Sequence, residues 1–93
     1  MADSDLEIIN NDSAHQFEVH IGELIAKLAY HQDGDTIIYP HTEVPKELGG
    51  RGIAGKMAAH ALDYARANNL RVVPQCPFVT KYIEDHPEYQ DLV

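Results

Sequence analysis

Phe17, Val19 and Ile21 alternate with Gln16, Glu18 and His20. A period of two places one set on each face of a half-buried strand. Gly22 marks a reversal, after which Leu24, Ala26, Leu28 and Tyr30 share one face of a third strand and Ile25, Lys27 and Ala29 the other. Upstream, Leu6-Glu7-Ile8-Ile9 reads as a short first strand, closed by the turn-forming run Asn10-Asn11-Asp12-Ser13. Downstream, Asp33-Gly34 lies between two apolar runs and predicts a hairpin, because both residue types tolerate positive φ. Residues 36–44 form the fourth strand. Pro40 within it cannot donate a ladder hydrogen bond, which predicts an edge, a bulge or a splayed pairing.

The period then changes. From Arg51 to about Asn68, Ile53, Met57, Ala61 and Tyr64 fall on one helical stripe beside Ala54, Ala58, Leu62 and Ala65. The alanines allow close approach to a sheet. Asn68-Asn69 is a C-terminal stop, since asparagine accepts the left-handed conformation. Leu70 to Val73 is a fifth strand ended by Pro74, and Pro77 suits the first position of a second helix through about Asp85. The expected fold is α+β: a mixed, mainly antiparallel five-stranded sheet with two helices. The long helix can carry the chain over so that the fifth strand lies parallel to the fourth. The mouths of both strands then face one end, with the glycine turn, His41, Glu43 and Cys76.

The 93 residues suit one small domain, residues 1–93, without internal linker or repeat. The single cysteine excludes an intrachain disulfide and favours a reducing compartment. The acidic start Met1-Ala2-Asp3-Ser4-Asp5 lacks the basic region of a signal peptide, and no apolar run is long enough for a membrane span. The expected state is a reduced cytoplasmic monomer or weak oligomer. A net charge of −8 argues against nucleic acid as a general partner.

Against that negative background, the segment from Val44 to Leu62 holds Lys46, Arg51 and Lys56 and the one acid Glu47. Gly49, Gly50 and Gly52 lead into the helix there. Strand, glycine-rich turn and helix start together form an anion site, because the first helical N–H groups are free. Three motifs compete for these glycines. Gly50, Gly52 and Gly55 match G-x-G-x-x-G, but Pro45 to Leu48 separates strand from glycines and the Leu70 to Pro74 region offers no acid. Gly50 to Lys56 matches most of a P-loop, yet Met57 stands where a hydroxyl must hold magnesium. The third reading is a CoA pyrophosphate on the helix N-terminus. Here the chain resembles the GNAT acetyltransferases, whose signature is Arg/Gln-x-x-Gly-x-Gly/Ala. Gly52-Ile53-Ala54 supplies its end, whereas Gly49 stands at its first position and Arg51 offers the charge from a neighbouring one.

Three residues can carry chemistry. Cys76 precedes Pro77, so it would cap the second helix, where the thiolate is favoured; the alternative is a cysteine packed as a small hydrophobe. His41 and Glu43 share one face at the end of the fourth strand. His41 can take a proton from an amine or thiol, or serve as a hydrogen-bonded structural residue. Glu43 can orient His41, act as base itself, or pair with Lys46. Tyr82 can protonate a leaving thiolate or pack against Phe78. His15, His20, His31 and His60 show no ligand spacing, so no metal site is expected.

His41-Thr42-Glu43-Val44-Pro45, Gly50-x-Gly52-Ile53-Ala54, Val73-Pro74-x-Cys76-Pro77-Phe78-Val79, Tyr82-Ile83 and His86-Pro87-Glu88-Tyr89 together resemble the minimal, single-domain GNAT-like N-acetyltransferases. The resemblance covers roughly Phe17 to Leu92. It implies fourth and fifth strands that are parallel and splayed, with acetyl-CoA between them and Cys76 near the thioester. Val44, Lys46, Gly49, Gly50, Arg51, Gly52, Ile53 and Ala54 are then the expected CoA contacts. Cys76, His41 and Glu43 are the expected catalytic set. The acceptor is a small amine, or a protein lysine or N-terminus, and no membrane partner is expected. A non-catalytic CoA-binding or regulatory module is the alternative.

Overall fold

The computed structural model describes residues 7–49 and 52–93. Leu6, Gly50 and Arg51, which belong to the first strand and the glycine turn expected above, lie outside the described residues.

The chain forms β1 (Ile8–Asn11), β2 (Gln16–Ile21), β3 (Leu24–Ala29), β4 (His31–Asp33), β5 (Thr36–Tyr39), β6 (Thr42–Glu43), α1 (Ile53–Ala67), β7 (Arg71–Pro74) and α2 (Pro77–Asp85). Short 3-10 turns cover Lys46–Leu48 and Pro87–Leu92. The first two-residue loop joins Ile21 to Leu24 and the second joins Asp33 to Thr36. Gly22 at φ 60° and Gly34 at φ 61° take the first position of each, where positive φ matches the twist of the flanking strands.

The expected α+β architecture is present, with the third and fourth strands each interrupted. Tyr30 separates β3 from β4, and Pro40-His41 separates β5 from β6. Hydrogen bonding divides the strands into two groups, β1-β2-β3-β6 and β4-β5-β7. All pairs are antiparallel except β5 with β7, which runs parallel from Thr36↔Arg71 to Tyr39↔Pro74. β1 also differs from its expected span: Asn10 and Asn11, read as turn residues, pair with Phe17 and Gln16. Their side chains explain this. Asn10 accepts the Tyr30 hydroxyl at 2.7 Å, while Asn11 accepts the Ala14 N–H at 3.2 Å and closes the loop that follows.

The helix α1 lies against β2 and β3 and buries Ile53, Met57, Ala58, Ala61, Leu62 and Ala65. Phe17, Leu28, Ile37 and Tyr39 meet it from the strands, all fully buried. Tyr39 donates its hydroxyl to the Ala61 carbonyl at 2.6 Å, so the one polar atom of a buried ring is satisfied inside the core. The helix stops where Asn69 adopts φ 56°, as its sequence predicts. The final 3-10 turn returns to α1. Arg66 holds Asp91 with two hydrogen bonds, at 3.0 and 2.9 Å, and Tyr89 donates to Asp63 at 2.9 Å.

Candidate functional site

Thr36 to Tyr39 bonds to β7, and the Cys76 N–H extends that ladder by one bond to the Tyr39 carbonyl at 2.9 Å. Beyond it the chain changes partner. His41 accepts the Ala29 N–H at 3.0 Å, and Thr42 and Glu43 pair with Leu28 and Lys27. β6 and β7 therefore diverge, and Cys76 stands where they separate.

Cys76 caps α2, with Pro77 at the first helical position. Its side chain is buried, with 4% of the residue exposed. Burial alone pushes the thiol up and is the largest influence on it. Hydrogen bonds from the Thr42 side chain and from the backbone of Val79, Phe78 and Thr42 together outweigh burial and hold the thiol below its ordinary value. The Thr42 hydroxyl lies 3.4 Å from Sγ. The helix start is present at this thiol, but its side-chain neighbour is the Thr42 hydroxyl, and neither His41 nor Glu43 hydrogen-bonds to it among the described residues. Side chains alternate along a strand, so the residue between His41 and Glu43 points the other way. His41 is exposed, and exposed Glu43 stands 3.8 Å from Lys27 rather than pairing with Lys46.

A cleft of about 440 Å³ opens at the start of α1. Val44, Leu48 and Gly49 line it from the segment before the helix; Gly52, Ile53, Ala54 and Gly55 line it from the helix itself, and Phe78 from α2. Gly52 is the N-cap of α1 at φ 74°, and no side chain caps the helix. The first N–H groups of an α-helix have no acceptor within it, so this end presents donors and the positive end of the helix dipole. A Cβ built on Gly52 meets nothing within 4 Å. Lys46 is exposed in the preceding 3-10 turn. A second depression, about 560 Å³, is lined by Ile25, Lys27, Thr42, Glu43, Val44 and Pro45. Val44 lines both spaces.

A family model described as GCN5-related N-acetyl-transferase matches residues 16–92. The chain belongs to the GCN5-related N-acetyltransferase family. Its backbone superimposes on the NMR solution structure of a GCN5-like putative N-acetyltransferase from Staphylococcus aureus with a TM-score of 0.74, at 33% identity over 96% of this chain and 88% of that one. Protein NATD1 of Xenopus tropicalis is 31% identical over 87 residues, which span 90% of this chain and 80% of the relative. Human Protein NATD1 is 38% identical over 63 residues, covering 67% of this chain and 56% of the relative.

Against this family fold, sequence reasoning missed Thr42, Leu48, Gly55 and Phe78 as lining residues. Strand alternation sets Thr42 opposite His41 and Glu43, but does not tell which side meets Cys76. Phe78, 39% exposed although aromatic, was read only as a packing partner of Tyr82. Tyr82 itself stacks on His86 with centroids 3.9 Å apart, and its hydroxyl is raised by burial and by the nearby charges of Glu88 and Asp63. A raised phenol is a weaker proton donor, which favours the packing role. Among the described residues no group of three histidine, cysteine, aspartate or glutamate side chains converges on a metal site, and no helix is long and apolar enough to cross a membrane.

Proposed function

We propose that this chain is a single-domain, cytoplasmic N-acetyltransferase that moves acetyl from acetyl-CoA to a primary amine. The observation that carries the reading is the cleft at the uncapped start of α1, bounded by glycines and continuous through Val44 with β6. Free N–H groups of Gly52 to Gly55 suit a pyrophosphate, which binds such helix ends. Gly49, Ile53, Ala54, Val44 and Lys46 surround or precede that point, and Gly50 and Arg51 belong to the same turn by sequence. The cosubstrate supplies an activated acyl group. The outer edge of β6, which among the described residues bonds only to β3, can align it beside Cys76.

The amine approaches in this reading from the depression that holds Glu43. An amine attacks only when neutral, so a base must take its proton, and exposed Glu43 or His41 can pass that proton to water. Nitrogen then bonds to the acyl carbon as the carbon–sulfur bond breaks. The covalent variant uses Cys76 as first acceptor of the acyl group. Its depressed thiol favours that variant, whereas its 4% exposure favours direct transfer. The same burial favours the second reading, a CoA-binding module without turnover.

Incubation with acetyl-CoA and a panel of amines, read by mass spectrometry, separates the three. Acetylated amine with free CoA establishes the enzyme. Loss of that product in Cys76→Ala, with a wild-type mass gain at Cys76, establishes the covalent variant; retained activity establishes direct transfer. Calorimetric CoA binding without any product leaves the module. Absence of CoA binding by the folded protein overturns the reading.

A further inference from the structure

The β1–β2 turn, the start of β4, and the later turns of α1 border a surface depression of about 270 Å³, in which Asp12, His15, His31 and Gln32 are exposed and Tyr30 is buried. Asp12 and His15 line it from the turn, Tyr30, His31 and Gln32 from the β3–β4 joint, and Tyr64 from the helix. Tyr64 follows Gly52 by 12 positions, roughly 18 Å along a helix axis. This depression is therefore separate from the cleft at the start of α1.

Its lining is aromatic and acidic, without lysine or arginine. The rings of Tyr30 and Tyr64 stack with centroids 6.4 Å apart and planes at 28°. Phe17 supports both, at 5.1 and 5.5 Å. Tyr30 shares its hydroxyl hydrogen between Asn10 at 2.7 Å and Asp12 at 3.0 Å. A carboxylate offers about four acceptor positions, and no other side-chain hydrogen bond reaches Asp12 among the described residues. The Asp12 carboxylate is thus positioned by the Tyr30 hydroxyl at the rim of the depression, with no salt bridge to a lysine or arginine among the described residues.

The backbone fixes where His15 stands. His15 holds φ 55°, in the left-handed region, where glycine would sit without strain. Its carbonyl accepts the Tyr30 N–H at 2.9 Å, and its ring meets the edge of Tyr30 at 6.2 Å and 83°. This conformation closes the β1–β2 loop, in which the Ala14 and His15 N–H groups bond back to the Asn11 and Asp12 carbonyls, and sets the His15 ring at the depression.

The geometry points to a binding site for a small organic cation, an alkylammonium group held between the Asp12 carboxylate and the Tyr64 ring. An ammonium within about 6 Å of an aromatic face is drawn to its negative quadrupole, and a carboxylate fixes its position. The net charge of −8 raises the local concentration of any such cation.

Choline and its neutral isostere 3,3-dimethylbutan-1-ol test the assignment by NMR titration of the isotopically labelled full chain. Choline should shift the ring resonances of His15, His31 and Tyr64 saturably, and the neutral isostere should not. Asp12→Asn keeps an acceptor for Tyr30 and should weaken choline about fivefold. Asp35→Asn, an exposed acid outside the depression, should leave the affinity unchanged. Equal response to the neutral isostere, unaltered affinity in folded Asp12→Asn, or shifts confined to other regions would each overturn the proposal.

Discussion

Thr42→Val exchanges a hydroxyl for a methyl of similar size and should make Cys76 harder to ionise. The thiol is held low by hydrogen bonds from Thr42 and from the first turn of α2, set against burial, which acts the other way and is the largest single influence. The valine removes one of those donors, at 3.4 Å from Sγ, and leaves the burial. Well-aligned bonds to a charged group contribute about 1.5–3 kcal/mol, and a long bond to sulfur gives ~1 kcal/mol. That corresponds to roughly a fivefold smaller thiolate fraction at any pH below the thiol midpoint. The Cβ resonance of labelled Cys76, followed against pH, reads this directly. The titration curve should move to higher pH in Thr42→Val and stay in place in Thr42→Ser, which keeps the hydroxyl. An unmoved curve in a folded Thr42→Val protein would falsify the role given to this hydroxyl and leave the backbone donors of Val79, Phe78 and Thr42 as the support of the thiolate.

Gly52→Ala should lower the melting temperature by about 5 °C through left-handed strain of ~1 kcal/mol, since the added Cβ meets no atom; Gly52→Asn should lose less, and equal losses would refute strain as the cause. Tyr39→Phe removes the donor to Ala61 from the core and should cost about 1 kcal/mol in urea unfolding, with an unchanged midpoint as the contrary result. The Glu18 carboxyl is held down at about 2 by hydrogen bonds from His20, then Gln16 and Asn11. A depressed carboxyl stabilises fully above its unfolded value, near ~4.3, and loses that contribution as pH falls toward 2, so the urea midpoint should fall across that window. Glu18→Gln should flatten the fall, by about 1–2 kcal/mol after solvent screening, and an equally steep acid limb in the variant would contradict the assignment.

Much of the fold was legible because its signals are local. Alternation over Phe17 to Ile21, glycines at the first position of two-residue loops, and the alanine-rich stripe of α1 each follow from one short segment. Pro77 and Asn69 fixed helix ends for the same reason. What was not legible depends on partners far away in sequence. Asn10 and Asn11 look like turn residues until Tyr30, Ala14 and Glu18 supply their hydrogen-bond partners. The last residues carry no periodic pattern of their own and are drawn into a 3-10 turn by Arg66 and Asp63 on α1. At the site, the strand end and the capping cysteine could be read directly. Which side chain of His41-Thr42-Glu43 faces Cys76 could not, because the chain switches partner at this point.

That switch is also what opens the site. Tyr39 is the last residue of its run to pair with β7, and His41 the first to bond toward β3. Pro40 between them has no N–H, so the change of partner leaves no backbone donor unsatisfied there. The third strand changes partner at the same level, since β3 bonds to β2 and β6 while β4 bonds to β5. Two adjacent strands that both exchange neighbours must divide the strands into two diverging groups. Tyr30 fixes the joint on its side, through Asn10, Asp12 and the His15 carbonyl. Proline alone is therefore not the cause of the opening; it lowers the cost of a break that lies beside the change of partner at Tyr30. Cys76 thus caps α2 where β5 leaves β7 and the chain begins to pair with β3, so the gap beside it is a consequence of strand pairing rather than of any one residue.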